Sequence, residues 1–316
     1  MFKIRIVNRG DSLTIFNPNT GETIIDGNGN CDTPILLDVS LTNKCEFKCK
    51  YCYKHSSPTG KNMDFEDFKL LIEKMKEAQV FQVAYGGGNP NEHPYFIDVL
   101  KMTHEAGIVP NYSTNGTNLT KDIIDASAKY CGSVAVSIHR DIDSYFDLIP
   151  RLINKIKKVN LHFVMTHENT SRIVSFLKNP PQWSLGINAI VLLRYKKVIG
   201  SSEREPLDFE YKMIFESAEK SCFKIAFDAC SYPLIKKYLP NVDEQLYDYC
   251  QGARSSAYIN ENLIMSPCSF DCQQNIENDL HKFSIKKIFT ESMDFANRRN
   301  EVNDFYICKQ YFDNFE

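Results

Sequence analysis

The sequence predicts an α/β fold in which a parallel sheet curls into a partial barrel of six β/α units. From residue 35 onward, short apolar runs typical of strands alternate with longer stretches that have the apolar spacing of helices. Strands joined through helices run parallel and lie side by side, so repeated units of this size imply one curled sheet. The candidate strands are residues 35–41, 80–85, 108–112, 133–138, 159–165 and 187–193.

The composition is that of an ordinary globular protein. The 316 residues suffice for one large domain with an appendage, or for two domains. The formal net charge of -3 gives no electrostatic reason to expect nucleic acid. The first residues lack a secretory apolar core, and no apolar run approaches the ~20 residues of a membrane helix. A cytoplasmic protein is therefore expected.

The chain begins with a segment that we expect to form a short β-hairpin, residues 1–30. Apolar and polar residues alternate there on both sides of a turn sequence that runs from Asn17 to Glu22. We expect this hairpin to cover one edge or end of the main domain, which is assigned to residues 31–222.

Residues 64–78 have the clearest helical pattern. Asp64 is the expected N-cap, because its side chain is able to accept from a free N–H of the first turn. Gly107 is expected to end the helix that follows the second strand. The apolar face of the helix over 64–78 consists of Phe65, Phe68, Leu71, Met75 and Ala78.

Cys45, Cys49 and Cys52 follow the first predicted strand with the spacing C-x3-C-x2-C. Three thiolates on one short loop are able to hold three corners of an iron-sulfur cube, because thiolate is the soft ligand that iron favours. The fourth iron then stays open for a substrate or cofactor. Zinc and a disulfide are the alternatives, but structural zinc uses four ligands, usually as two C-x2-C pairs, and no second pair follows nearby. Eleven cysteines in a leaderless chain also favour metal, because cytosolic thiols are kept reduced.

The loops after the other predicted strands carry further candidate site residues. In barrels of this kind the chemistry takes place on the loops at the carboxyl ends of the strands. Glycines there let the backbone approach a ligand closely, and an arginine is able to clamp a carboxylate through two hydrogen bonds. Turn chemistry and a surface charge are the simpler alternatives. The candidates are Gly87, Gly88, Asn89, Ser113, Asn115, Ser137 and Arg194.

The cysteine spacing, with Tyr51 as the aromatic residue before the last cysteine, resembles the signature of the radical S-adenosylmethionine (SAM) superfamily. The resemblance implies a partial (β/α)6 barrel and a 4Fe-4S cluster on the three cysteines. It further implies that the open iron chelates the amino and carboxylate groups of SAM. An electron from the cluster then cleaves SAM to a 5'-deoxyadenosyl radical.

Three other elements extend this resemblance. Residues 87–90, Gly-Gly-Asn-Pro, are similar to the Gly-Gly-Glu-Pro motif that holds the SAM amino group. Asn89 replaces the usual Glu, and its amide oxygen still accepts a hydrogen bond from an ammonium but carries no charge. Residues 113–116, Ser-Thr-Asn-Gly, are similar to an element of the subgroup with SPASM or Twitch extensions. Ser137 corresponds to a hydroxyl that the family often places near the SAM carboxylate or ribose.

Residues 223–316 have weaker apolar periodicity than the preceding part of the chain, and they resemble the first half of a SPASM or Twitch extension. Residues 224–230 are typical of a strand that ends in a cysteine, and a short helix is expected near Pro233. The unit from Cys250 to Cys268 resembles the hairpin that begins an auxiliary 4Fe-4S site, although the usual Gly before its second cysteine is missing. The implied ligands of one auxiliary cluster are Cys230, Cys250, Cys268 and Cys308, with Cys272 as the competitor of Cys230.

Other cysteines and the histidines are expected to have no metal role. The alternatives for Cys230 itself are a small buried hydrophobe or a hydrogen-atom donor. Cys31, Cys131 and Cys222 are expected to be structural, because free cysteine is commonly buried. No metal-ligand spacing joins His55, His93, His139, His162 and His167.

The function that these features imply is that of a radical SAM enzyme that abstracts hydrogen from a ribosomal peptide or a protein side chain. The expected cofactors are SAM, its 4Fe-4S cluster and the auxiliary 4Fe-4S cluster. The expected partners are an electron donor of the flavodoxin or ferredoxin type and a separate leader-peptide-binding protein. The alternatives are oxidation or rearrangement of a sugar or nucleoside, and a non-catalytic iron-sulfur or SAM-binding protein. The sequence does not identify the catalytic residues.

Overall fold

A computed structural model describes residues 3–27, 30–198, 201–243, 246, 249–270 and 275–303. The chain begins with an antiparallel sheet of three strands, β1 Arg5–Arg9, β2 Ser12–Asn17 and β3 Glu22–Asp26. The predicted turn between Asn17 and Glu22 joins β2 to β3. The prediction of a two-stranded hairpin is wrong, because the structure has a third strand here. Gly10, with φ of +64°, allows the tight turn that joins β1 to β2 in an antiparallel pair.

This N-terminal sheet lies against the amino ends of the main strands. The Arg9 side chain is fully buried and donates to the carbonyl oxygen of Ala78 at 2.9 Å. Arg5 donates to the carbonyl oxygens of Val80 and Gly107. Phe16 stacks on Phe81 with ring centres 5.0 Å apart. The sheet therefore covers one end of the main domain, opposite the carboxyl ends of the strands.

The main sheet has nine strands in the described residues, in the order β10-β9-β8-β7-β6-β5-β4-β11-β12. From β4 to β10 every neighbouring pair is parallel, which confirms the predicted α/β class. All six predicted strands are present, with ends within two residues of the expected ones. They are β4 Leu36–Thr42, β5 Gln82–Gly87, β6 Val109–Thr114, β7 Ser133–Ser137, β8 Val159–Met165 and β9 Ala189–Arg194.

The helices between the strands pack on the outer face of this sheet. The first of them begins after Asp64, whose side chain accepts from the backbone N–H of Glu66 as the expected N-cap. Phe68, Leu71 and Met75 on its apolar face are fully buried. The helices are α1 Phe65–Glu77, α2 Phe96–Glu105, α3 Lys121–Tyr130, α4 Leu148–Ile153, α5 Thr170–Lys178, α6 Asp208–Glu219, α7 Tyr232–Tyr238, α8 Ile285–Glu291 and α9 Met293–Asn303.

The C-terminal region extends the main sheet at both of its edges. The predicted strand near 224–230 is β10 Ile225–Phe227, which pairs in parallel with β9. The predicted hairpin consists of β11 Ser256–Ile259 and β12 Met265–Ser266, and β11 pairs in parallel with β4. This hairpin therefore lies beside the strand that leads into Cys45.

The inner face of the sheet is polar. Side chains alternate between the two faces of a strand, and the fully buried apolar residues of β4 to β9 point outward into the core. Most residues that point the other way are small or polar, apart from the half-buried Val164, Val191 and Leu193, and water reaches Asp38 at the centre of this face. The inner face includes Asp38, Gly86, Ser113, Ser137 and His162. Such a face leaves a polar space that is open to a ligand.

In the part of the chain that the structure describes, no helix is long and apolar enough to cross a membrane.

Candidate active site at the carboxyl edge of the sheet

The loop between β4 and α1 brings three cysteines to the carboxyl edge of the sheet. Cys45 is 9% exposed, and its backbone N–H donates to the carbonyl oxygen of Ser57 at 2.9 Å. The N–H of Cys52 donates to the carbonyl oxygen of Cys49 at 3.0 Å, which makes a tight turn between them. These backbone bonds fix the loop independently of any bound group.

The three thiols are close enough to influence one another's charge. Burial raises the pKa of Cys49 to about 12, and the neighbouring thiols of Cys52 and Cys45 add to this shift. Burial also raises the pKa of Cys45, and Glu92 and Cys52 contribute. Three thiolates in one place need a cationic centre to offset their repulsion, and iron supplies that charge with the soft ligand chemistry of thiolate. The donor set therefore fits an iron-sulfur cluster with three protein ligands.

Residues 86–89, here called the glycine segment, contact the backbone of the loop between β4 and α1, here called the cysteine loop. The N–H of Gly88 donates to the carbonyl oxygen of Thr42 at 2.6 Å, and that of Asn89 donates to Lys44 at 2.8 Å. A Cβ atom at Gly88 would overlap the carbonyl oxygen of Lys44, and one at Gly87 would overlap that of Thr42. Glycine is required at both positions because the two loops touch through their backbones.

Asn89 links this glycine segment to the loop after β6. Its side-chain oxygen accepts from the backbone N–H of Asn115 at 3.2 Å. The hydroxyl of Thr114 lies 2.9 Å from this oxygen and 2.7 Å from the side-chain oxygen of Asn91, and it donates to one of the two. Its amide nitrogen donates to Glu92 at 3.1 Å and to Thr117 at 3.3 Å. The backbone N–H fixes which end of the amide is oxygen. The oxygen that was expected to face SAM therefore points into the protein, because it accepts from the backbone of Asn115 and the residue is fully buried.

Asn115 reaches the cysteine loop directly. Its side-chain amide donates to the sulfur of Cys45 at 3.5 Å, and its oxygen accepts from the N–H and the hydroxyl of Thr117. Hydrogen bonds to a ligating sulfur are among the factors that set the potential of an iron-sulfur centre. Asn115 is thus in contact with a candidate cluster ligand, which the sequence pattern did not specify.

The remaining candidates on the inner face lie on neighbouring strands. Ser113 is on β6 and Ser137 is on β7, both half-buried. The hydroxyl of Tyr51 is bonded to Nδ1 of His139 at 2.7 Å. Burial, with Arg140 and Arg172, lowers the pKa of His139 to about 4, so this imidazole is neutral near pH 7. Tyr51 therefore joins the cysteine loop to the end of β7.

Arg194 at the end of β9 is committed to protein partners. Its buried guanidinium forms an ion pair with Glu205 at 3.1 Å and donates to the carbonyl oxygen of Cys230 at 3.4 Å. Its backbone N–H donates to Asp228 at 3.0 Å. The structure thus shows Arg194 fixing the segment around Cys230, while its role as a clamp for a ligand carboxylate stays a prediction.

Three of the predicted auxiliary cysteines lie together. Burial raises the pKa of Cys230 to about 12, the thiols of Cys268 and Cys250 add to the shift, and Lys196 opposes it. The ammonium of Lys196 is paired with Asp228 at 2.9 Å and lies 4.3 Å from the ring centre of Phe270. Cys272 and Cys308 lie outside the described residues. No three His, Cys, Asp or Glu side chains of the described chain are placed to hold a single metal ion.

The expectation that all other cysteines are buried is wrong for one of them. Cys31 is buried in a small apolar cluster and Cys131 packs against the main core. Cys222, however, is exposed at the end of α6. It follows a helix on the surface, where free thiol is tolerated but contributes no packing.

The sequence analysis missed several site residues. Glu92 and Thr117 join the network around Asn89, and Lys196 with Asp228 faces the second group of thiols. Lys196 lies two residues after Arg194, the candidate that follows the last predicted strand. Their roles depend on contacts between distant loops, which a linear pattern does not encode.

Comparison with known proteins identifies the domain that carries this site. Residues 39–169 match the sequence model of the radical SAM superfamily. These residues include the three cysteines, the glycine segment and the loop of Asn115. They form a radical SAM domain. The match covers the first strands of the sheet, from β4 to β8.

Two curated relatives have similar sequences. The tungsten-containing aldehyde ferredoxin oxidoreductase cofactor-modifying protein of Pyrococcus furiosus is 23% identical over 276 residues, which are 85% of this chain. The PqqA peptide cyclase of Ruegeria pomeroyi is 30% identical over 95 residues, or 29% of this chain. The aligned parts span 65% and 25% of those proteins, respectively.

The radical SAM domain and its surroundings also resemble solved structures. The crystal structure of Streptococcus suis SuiB bound to S-adenosylmethionine superposes with a TM-score of 0.74 at 13% identity. The superposition covers 94% of this chain and 89% of that chain. At this identity the likeness establishes a shared fold.

Proposed function

We propose that this chain is an enzyme that reductively cleaves SAM and abstracts hydrogen from a peptide or protein side chain. The observation that carries the proposal is the group of three mutually interacting thiols of Cys45, Cys49 and Cys52, held at the carboxyl edge of a radical SAM sheet. A cluster bound there supplies the electron that splits SAM into methionine and a 5'-deoxyadenosyl radical, which takes a hydrogen atom from the substrate.

The chain's own residues position the reactants. The glycine segment holds the backbone of the cysteine loop through the bonds of Gly88 and Asn89. Asn115 donates to the sulfur of Cys45 and orients it. The hydrogen-bonded side chains of Tyr51 and His139 lie beside the cysteines, and the low pKa of His139 keeps its imidazole uncharged near pH 7. These contacts leave the polar inner face of the sheet for SAM and the substrate.

Several features support a peptide substrate. One relative is named a PqqA peptide cyclase, and SuiB has also been solved bound to a precursor peptide, SuiA, with a TM-score of 0.69 to this chain. In this chain, Asp38 is exposed to water within the curve of the inner face, while the protein atoms around this recess partly desolvate the carboxyl and raise its pKa to about 6. A carboxylate in such a polar recess suits a substrate with N–H donors, as a peptide has.

The proposal includes an auxiliary 4Fe-4S cluster on Cys250, Cys268 and Cys308, with Cys230 as the fourth ligand and Cys272 as its competitor. Burial raises the pKa of Cys230 and Cys268, the neighbouring thiol of Cys250 adds to both shifts, and the positive charge of Lys196 opposes them. A cation beside these thiols favours the thiolate form that iron requires. The proposed partners are a flavodoxin-type or ferredoxin-type electron donor and a separate leader-peptide-binding protein.

Anaerobic turnover with a candidate peptide tests this function. The purified protein is incubated with SAM, a reductant and a short peptide encoded beside its gene, and products are separated by mass spectrometry. We expect 5'-deoxyadenosine together with a peptide whose mass has changed. A matched reaction with Cys49→Ala should give neither product. Formation of 5'-deoxyadenosine with no change in any such peptide would contradict the peptide substrate and favour a small molecule.

A further inference from the structure

Glu92 has a position that the sequence comparison does not explain. It ends a short 3-10 turn, Pro90–Glu92, that follows the glycine segment. One carboxylate oxygen accepts from the side-chain amide of Asn89 at 3.1 Å. Among the described residues, the carboxylate of Glu92 has no further hydrogen bond or ion pair. Its charge is therefore not neutralised by a lysine or arginine of this part of the chain.

Glu92 is connected to the cysteine loop through two asparagines. Asn89 donates to Glu92 and accepts from the N–H of Asn115, and Asn115 donates to the sulfur of Cys45. The carboxylate of Glu92 is thus held beside the cysteine loop, whose thiols are ionised when they bind a cluster.

This arrangement is unfavourable without a cationic partner. Like charges close together in a protein repel strongly, and a half-buried carboxylate has lost part of its hydration. Asn89 offers Glu92 a single neutral N–H. The second carboxylate oxygen remains available to a ligand that brings positive charge and N–H donors.

Asn89 cannot take this role itself. Its side-chain oxygen accepts from the backbone N–H of Asn115 and lies 2.9 Å from the hydroxyl of Thr114, and the residue is 0% exposed. Its amide nitrogen is a donor, so that end does not accept from an ammonium. The neutral residue at position 89 instead orients the charged residue at position 92.

Resting on the proposed function, we propose that Glu92 binds the α-amino group of SAM and supplies the negative charge that the glycine segment lacks at Asn89. Asn89 is then a positioning residue, which holds one oxygen of Glu92 and leaves the other for the ligand. The α-amino group fits this oxygen better than the sulfonium does, because only the amino group has N–H donors.

Equilibrium binding of three nucleosides to wild type and Glu92→Gln tests this assignment. SAM has both the amino group and the sulfonium, S-adenosylhomocysteine has only the amino group, and 5'-methylthioadenosine has neither. The glutamine side chain keeps an oxygen for Asn89 and removes only the charge. We expect Kd to rise about tenfold or more for SAM and S-adenosylhomocysteine, and less than about twofold for 5'-methylthioadenosine.

Each other pattern overturns the assignment. Unchanged SAM binding excludes a contact with Glu92, and a loss for SAM alone indicates the sulfonium instead. An equal loss for all three nucleosides indicates a structural role. Iron content and the SAM-free EPR spectrum should match wild type, and Glu105→Gln on α2, which is exposed, serves as the matched control. Failure of wild type to bind SAM would contradict the proposed function itself, so the two failures are distinguishable.

Discussion

Gly88→Ala tests whether backbone contact between the glycine segment and the cysteine loop is essential. The added methyl would overlap the carbonyl oxygen of Lys44 and lie 2.7 Å from its carbonyl carbon. This overlap is relieved only if the glycine segment moves away from the cysteine loop, which breaks the hydrogen bonds of Gly88 to Thr42 and of Asn89 to Lys44. Overpacking costs about 1–3 kcal/mol, and each of the two lost hydrogen bonds costs about 1 kcal/mol, so the free energy of unfolding should fall by roughly 3–5 kcal/mol.

The assay compares this variant with Gly86→Ala in the same segment. A Cβ at Gly86 meets no atom within 4 Å, so that variant should retain wild-type stability and iron. For Gly88→Ala we expect a melting temperature lower by about 5–15 °C. Iron per chain should also fall, because Cys45 follows the displaced Lys44. Both quantities are measured on protein reconstituted anaerobically without SAM. Equal melting temperatures and iron contents for the two variants would refute the reasoning.

Three further predictions concern the N-terminal sheet, the inner face and the second group of thiols. Arg9→Met leaves buried carbonyl oxygens without their donor, so the free energy of unfolding measured in urea should fall by roughly 2–4 kcal/mol. Lys3→Met, at an exposed position, should leave this free energy unchanged. Equal free energies for the two variants would contradict the buried contacts of Arg9. Burial lowers the pKa of His162 to about 4, so the unfolded chain takes up a proton near pH 6.5 that the folded chain does not. Stability should therefore fall by roughly 1.3 kcal/mol from pH 7.5 to pH 5.5 on account of this residue, and a His162→Gln variant with the same pH dependence as wild type would contradict it. Cys230→Ala should lower the iron content while the EPR signal that SAM perturbs persists, whereas exposed Cys222→Ala should change neither; retention of all iron in Cys230→Ala would exclude it as a ligand.

Local patterns predicted the elements that depend on neighbouring residues. The six strands, the N-cap at Asp64 and the turn from Asn17 to Glu22 follow from apolar periodicity and turn chemistry within a few residues. The convergence of the loops after β4, β5 and β6 follows from the parallel topology, because the carboxyl ends of parallel strands meet at one edge. These features could be read from the sequence.

Other features depend on contacts between distant segments. The strand β1 was missed because the turn at Gly10 was not recognised within an alternating stretch. The side-chain oxygen of Asn89 was expected to face a ligand, but it accepts from the backbone N–H of Asn115 inside the protein. Glu92 is an unremarkable residue in the sequence, and only the tertiary structure places it in one network with Cys45. Hydrogen-bond direction across loops is not encoded in spacing.

The central claim is that Cys45, Cys49 and Cys52 hold the cluster that binds SAM, and iron analysis with EPR tests it most directly. Iron, sulfide and the EPR spectrum of the reduced protein are measured for wild type and for the variant with all three cysteines changed to Ala. The account predicts about eight irons per chain in wild type and about four in the variant, and the lost signal is the one that SAM perturbs. Full iron in the variant, or zinc in place of iron in wild type, would contradict the account.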